Sequence, residues 1–169
     1  MKTTVAAVQM VSTPDVAENM ETAARLVAQA VQQGAQMVTL PEYWPIMGMS
    51  DADKLAHAEA AGDGPIQQFM SALAAQHRIW LVGGTLPLVS GEAGKVMNTV
   101  LVFDPAGARV SRYDKIHLFG FTRGDESYNE SKTIVPGNAV CTFDAPFGRV
   151  GLSVCYDLRF PELYRAMGE

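Results

Sequence analysis

This chain is poor in basic residues: Lys and Arg number 13 against 18 Asp and Glu, a formal net charge of −5 over 169 residues. With no basic block or stripe, nucleic acid is not expected as a partner. Cysteine is scarce, with Cys141 and Cys155 the two in the chain. Two are too few for a disulfide scaffold, and with three scattered histidines they form no zinc-ligand spacing, so neither metal nor other cofactor is expected. No run approaches the ~20 apolar residues that a membrane span needs. Residues 1–10 lack the apolar stretch and cleavage site of a signal peptide, so a cytoplasmic address is expected. Internal repeats, low-complexity tracts and linkers are missing too. What is present, 48% hydrophobic and 18% charged residues, is a globular composition. The length suits one domain spanning residues 1–169.

The apolar run at residues 5–10 predicts a strand covered on both faces. Thr13 and Pro14 offer a helix N-cap and a first-turn proline, and Val16, Met20, Ala23, Val27, Ala30 and Val31 follow at helical spacing until Gly34 closes the helix. Residues 36–40 predict a second buried strand stopped by Pro41, and residues 42–63 a loop. A second helix starts near Pro65, with Ile66, Phe69, Met70, Leu73 and His77 on one face. Strands are expected at residues 79–82, ending in Gly83-Gly84, then at 96–103 and from 108 through Tyr113, the latter two joined by a turn at Asp104-Pro105-Ala106-Gly107. Residues 118–137 read as a long polar excursion, a length that in compact domains usually marks function. Strands at 139–143 and 150–154 follow, and Pro161 opens a last helix. The pattern is a single α/β domain of alternating strands and helices.

Cys155 falls at the carboxyl end of the last expected strand, where open α/β sheets build their sites. A thiol on a sharp strand-to-helix turn faces substrate, with backbone N–H groups nearby to hold an oxyanion. The alternative is a small buried hydrophobe. A nucleophilic thiol also needs a base or a positive charge beside it. His57, in a loop, and His77, at a helix end, are poor candidates, whereas His117 beside Lys115 leaves a papain-like Cys–His pair open. Glu42 directly follows an apolar strand and Pro41. A carboxylate drawn into such a place needs a partner, which Lys115 could supply; the alternative is a solvated loop. Glu130, viewed alone, is ordinary polar loop.

Taken together, Leu40-Pro41-Glu42, Tyr113-Asp114-Lys115-Ile116-His117-Leu118-Phe119 and Val154-Cys155-Tyr156-Asp157-Leu158-Arg159-Phe160-Pro161-Glu162 resemble, in order, the motifs of the nitrilase superfamily, the carbon–nitrogen hydrolases. Ala7-Val8-Gln9-Met10 and Gly83-Gly84 also fit. The resemblance implies an α/β fold that is part of a four-layer α-β-β-α sandwich with its C-terminal portion missing, so that the isolated chain is expected to be poorly stable or inactive. It implies a Glu–Lys–Cys triad of Glu42, Lys115 and Cys155, with Glu130 as the second glutamate that holds Lys115. Lys115 and the backbone N–H of Tyr156 would bind the oxyanion.

Lys115-Ile116-His117-Leu118-Phe119 and Cys155-Tyr156-Asp157-Leu158-Arg159-Phe160 look most like the amidase branch, which includes omega-amidase and deaminated glutathione amidase. The implied substrate is a small molecule bearing a terminal amide and a carboxylate, for which Arg159 is a candidate partner, a structural ion pair being the alternative. Nitrilase chemistry and a non-catalytic binding protein of the same fold are the competing readings. Members of the family commonly dimerise through helices, so a homodimer or higher homo-oligomer is expected. Arg123-Gly124-Asp125 and the Asn129-Glu130-Ser131 acceptor triplet are chance matches in the absence of a secretory signal.

Overall fold

The computed structural model describes residues 2–168. Among these residues, ten strands and four α-helices build a six-stranded mixed sheet, two small antiparallel sheets and the helices that cover them. The main sheet runs β1 (Val5–Ala7), β2 (Met37–Thr39), β3 (Trp80–Val89), β4 (Val96–Phe103), β5 (Arg109–Asp114), with β8 (Ile134–Val135) also on β4. The β1–β2–β3 ladders are parallel, because α1 (Val16–Gln32) and α3 (Pro65–His77) cross between them; β3–β4–β5 are antiparallel.

Helix α1 begins two residues beyond the expected start, at Val16 instead of Pro14. Asp15 is its cap, its carboxylate accepting from the amides of Ala17 (2.8 Å) and Glu18 (3.1 Å), while Thr13 turns to Asn19. Gly34, at φ +88°, turns the chain into β2. In α3, buried Glu59 accepts from the free amides of Ile66 (2.6 Å) and Gln67 (3.1 Å), a cap supplied from outside the helix.

Alternation on each strand divides the interior in two. Ala23, Val27, Met70 and Leu73 from the helices meet Val38, Leu81, Leu101 and Phe103 on one face of the sheet. Val100, Val102 and Tyr113 face the other way, against Phe143, Leu152 and Val154. That second face is covered by the hairpin of β9 (Thr142–Ala145) and β10 (Gly148–Gly151), on which α4 (Pro161–Met167) lies: a Cβ on Gly151 would come within 2.5 Å of the Met167 sulfur. Helices, sheet, second sheet and helix are thus stacked in the α-β-β-α order.

Four sequence expectations are corrected here. The third strand does not end at Gly83-Gly84 but continues to Val89 through a bulge between Val82 and Thr85, because one extra residue there flips the alternation. Leu81 and Leu86 consequently reach the same core. The excursion at 118–137 is structured, holding the hairpin of β6 (Gly120–Arg123) and β7 (Glu126–Asn129), a 3-10 turn Glu130–Lys132 and β8. The expected loop at 42–63 contains a one-turn helix, α2 (Asp53–Ala56). The strands near both ends are also shorter than their apolar runs, β1 stopping at Ala7 and β10 at Gly151.

Candidate active site

The chain leaves β2 at Leu40 and is pinned against the β3 bulge. Leu40 N–H donates to the Val82 carbonyl (3.0 Å) and Trp44 Nε1 to the Gly83 carbonyl (2.7 Å). Gly84 makes this approach feasible: at φ +58°, its Cβ would stand 2.1 Å from the Pro41 carbonyl oxygen. Tyr43 is held at φ +53°, its N–H donating to Thr85 Oγ1 (2.8 Å). Strain at a non-glycine residue marks a segment that its surroundings over-determine. Between these fixed points Glu42, half-buried, aims its carboxylate at the end of β5.

Lys115 follows β5 directly and is completely buried. Its backbone is clamped on both sides, N–H to the Asn98 carbonyl and C=O from the Gly137 N–H, each 2.9 Å. Nζ lies 3.0 Å from Glu42 Oε1 and 2.9 Å from Glu130 Oε2. Burial alone would depress the lysine pKa; the charges and hydrogen bonds of Glu42 and Glu130 outweigh it, so the ammonium is held above its ordinary range. Glu130, 5% exposed, also accepts the Phe119 N–H at 2.7 Å, which anchors it independently of the lysine. In the sequence Glu130 reads as loop; the β6–β7 hairpin folds it inward.

Cys155 is exposed and stands at φ +48° as the first residue of a 3-10 turn, Cys155–Arg159. The sequence places it at the end of a strand, but the β10 ladder stops at Gly151 and residues 152–154 carry the chain on in extended form. Glu42 and Cys155 line one cavity of about 330 Å³ with Thr85, Val100 and Val154. Partial burial and then the charge of Glu42 push the thiol above its ordinary pKa, against the pull of Lys115. The resting group is therefore a neutral thiol beside a carboxylate, not a thiolate. The N–H of Tyr156, in the first turn of the 3-10 segment, has no acceptor within that turn.

His117 is committed elsewhere. Nδ1 is 2.7 Å from Asp157 Oδ1 and its ring stacks on Phe160 at 3.6 Å, which removes the ground for a papain-like pair. Asp157, fully buried, also accepts from Tyr113 Oη (2.6 Å), Val154 N (2.9 Å) and His117 N (3.0 Å). Arg159 is exposed and makes no ion pair with another described residue, so the structural pairing considered for it is not found. Two groups escaped the sequence reading: Asp157, and Asn98, whose Nδ2 donates to Glu42 Oε1 at 2.8 Å. The available signal for Asn98 was a polar Asn98-Thr99 pair inside an otherwise apolar strand. Among the described residues no group of three or more His, Cys, Asp or Glu side chains is arranged to hold a metal ion. No described helix is long and apolar enough to cross a membrane.

Comparison with known proteins agrees with this architecture. The carbon–nitrogen hydrolase family model matches residues 4–169. The chain is 41% identical over 165 residues to a deaminated glutathione amidase from Synechocystis sp., covering 95% of this chain and 60% of that protein. It is 38% identical over 156 residues to the human omega-amidase NIT2, covering 86% and 52%. The crystal structure of Saccharomyces cerevisiae Nit3, a member of branch 10 of the nitrilase superfamily, superimposes with a TM-score of 0.79 at 31% identity, over 92% of this chain and 56% of that one. The Caenorhabditis elegans NitFhit protein gives a TM-score of 0.81 at 34% identity, over 94% and 39%. The chain thus spans 52–60% of the length of these curated relatives. By family model, sequence and fold together, it belongs to the carbon–nitrogen hydrolase family of the nitrilase superfamily.

Proposed function

We propose that this chain carries the amidase chemistry of its family, hydrolysing the terminal amide of a small carboxylate-bearing compound through a thioester on Cys155. The reading rests on one arrangement above all: a buried lysine ion-paired with two carboxylates, one of which shares a cavity with an exposed thiol on a strained turn. Because the thiol is neutral at rest, Glu42 acts as base, taking the S–H proton as sulfur attacks the amide carbon. The carbonyl electrons move onto oxygen, where the Lys115 ammonium and the Tyr156 N–H stabilise them. Collapse of that intermediate breaks the C–N bond, and Glu42 passes its proton to the departing nitrogen, releasing ammonia. Glu42 then takes a proton from water as hydroxide adds to the thioester; expulsion of sulfur, reprotonated by Glu42, frees the carboxylic acid. Lys115 remains charged throughout, since Glu130 balances it when Glu42 is protonated.

The substrate class follows the names of the relatives, deaminated glutathione amidase and omega-amidase. Arg159, exposed on the same turn as the nucleophile, is the proposed partner of the substrate carboxylate. This chain matches 60% and 52% of the length of those two relatives. Assembly as a homo-oligomer belongs to the proposal.

Ammonia release from monoamides of short dicarboxylic acids tests the reading, together with intact-mass detection of an acyl adduct on Cys155. Cys155→Ala should abolish both. Equal, measurable release by wild type and Cys155→Ala would sink the proposal, and turnover of the matching nitriles but not the amides would move it to nitrilase chemistry.

A further inference from the structure

We propose that Asn98 is a positioning residue for the general base, holding Glu42 so that Oε1 faces Lys115 and Oε2 is left to take the thiol proton. This rests on the base role of Glu42 given above. Asn98 lies on β4 in register with Val100 and Val102, on the face of the sheet that looks toward the second sheet, and is completely buried. A valine there would continue the apolar row at no desolvation cost, whereas a buried amide must be compensated by hydrogen bonds.

The compensation goes to the site. The side chain donates through Nδ2 to Glu42 Oε1 at 2.8 Å, and the backbone carbonyl of the same residue accepts the Lys115 N–H at 2.9 Å. One residue therefore sets both halves of the Glu42–Lys115 pair. The orientation of the amide is fixed by chemistry, because an ionised carboxylate can only accept. Oε1 consequently receives two donors, Nδ2 and Lys115 Nζ, while Oε2 receives none from the described residues. A carboxylate with one oxygen saturated and the other bare is oriented as a base. Asn98 Oδ1 is itself buried with no partner among the described residues. An orphaned buried acceptor is a cost that a residue kept only for packing would not carry, and it follows from turning Nδ2 toward Glu42.

Two measurements test the assignment. The first follows alkylation of Cys155 by iodoacetamide against pH, read on the Cys155 peptide by mass spectrometry, in wild type, Asn98→Ala, Glu42→Gln and the double variant. Since Glu42 raises the thiol pKa, releasing it should lower the midpoint in Asn98→Ala. In the Glu42→Gln background the same substitution should move nothing. An unchanged midpoint in Asn98→Ala, or an equal shift in both backgrounds, would overturn the proposal. This measurement needs no turnover, so it stands even if ammonia release proves independent of Cys155, the result that sinks the amidase reading instead.

The second uses Asn98→Asp, which keeps the shape of the side chain and makes its donor conditional on protonation. At pH 8 kcat should fall about 10- to 100-fold, the worth of a hydrogen bond to a charged group, with KM within about twofold. As pH drops and the introduced carboxyl takes up a proton, it regains a donor for Glu42 and the deficit relative to wild type should shrink. A kcat that tracks wild type across the range, or a deficit that does not change with pH, contradicts positioning by hydrogen bonding. The unfolding midpoints of both variants, measured alongside, separate either result from loss of the fold.

Discussion

Replacing Asp157 by alanine should cost about as much stability as breaking the buried Lys115 pair, although Asp157 is not one of the reacting groups. The carboxyl is fully buried and gathers four contacts from three segments: Tyr113 Oη at 2.6 Å, Val154 N at 2.9 Å, His117 N at 3.0 Å and His117 Nδ1 at 2.7 Å. Alanine removes the acceptor and strands the donors. Those of Tyr113 and Val154 lie in buried surroundings and that of His117 in a half-buried one. A donor left without a partner costs about 1–3 kcal/mol when buried, and neighbouring losses do not add fully, so the sum is about 3–5 kcal/mol. Against a total stability of about 5–15 kcal/mol for an ordinary domain, that is a large fraction. Urea unfolding followed by circular dichroism measures it as a fall in midpoint at unchanged slope. Asp157→Asn, which retains one of the two oxygens, should lose about half as much. The Cys155 turn and the end of β5 share this anchor, so the same variant should also impair ammonia release. A loss below about 1 kcal/mol would mean that water replaces the carboxyl, and that Asp157 does not join the two segments.

Gly84→Ala should displace the Glu42 segment, because the added Cβ falls 2.1 Å from the Pro41 carbonyl oxygen and the residue sits at φ +58°. The left-handed conformation alone costs about 1–2 kcal/mol for alanine, and the clash adds to it; a thermal melt lower by several degrees checks the sum. Lys115→Met should abolish turnover and leave Glu42 and Glu130 facing each other unpaired. Removing one partner of a buried pair costs about 3–5 kcal/mol, measurable as a drop in urea midpoint at pH 7. Its sign with pH is set by the raised lysine pKa: the folded state binds that proton more tightly, so the contribution is intact below the unfolded lysine value of about 10.4 and is lost as pH rises through the folded one. Stability measured from pH 8 to 12 should therefore converge between wild type and Lys115→Met at the alkaline end.

Local pattern was enough for the elements whose partners are near in sequence. The helical spacing from Val16 to Val31, the face of Ile66 to Leu73 and the apolar run of β4 all appear in the fold at about their expected bounds. The order of Leu40-Pro41-Glu42, Lys115-Ile116-His117 and Cys155-Tyr156-Asp157 carried the family resemblance. The β3 bulge did not announce itself, since Gly83-Gly84 looks like a strand terminator until Pro41 is seen against it. Nor did the β6–β7 hairpin, whose outward-facing residues give an alternation no stronger than a polar loop.

What the sequence alone determined is which chemistry-bearing residues the chain carries and which segments repeat with the period of a helix or a strand. What only the tertiary structure decided is which oxygen, nitrogen and sulfur atoms meet. Glu42 reaches Lys115 across 73 positions, Asn98 reaches Glu42 across 56 and Asp157 reaches Tyr113 across 44. Periodicity carries no record of such pairings. They arise because burying the two faces of one sheet leaves Asn98, Lys115 and Asp157 in the interior, where a polar group must find a partner or the fold must bear its desolvation.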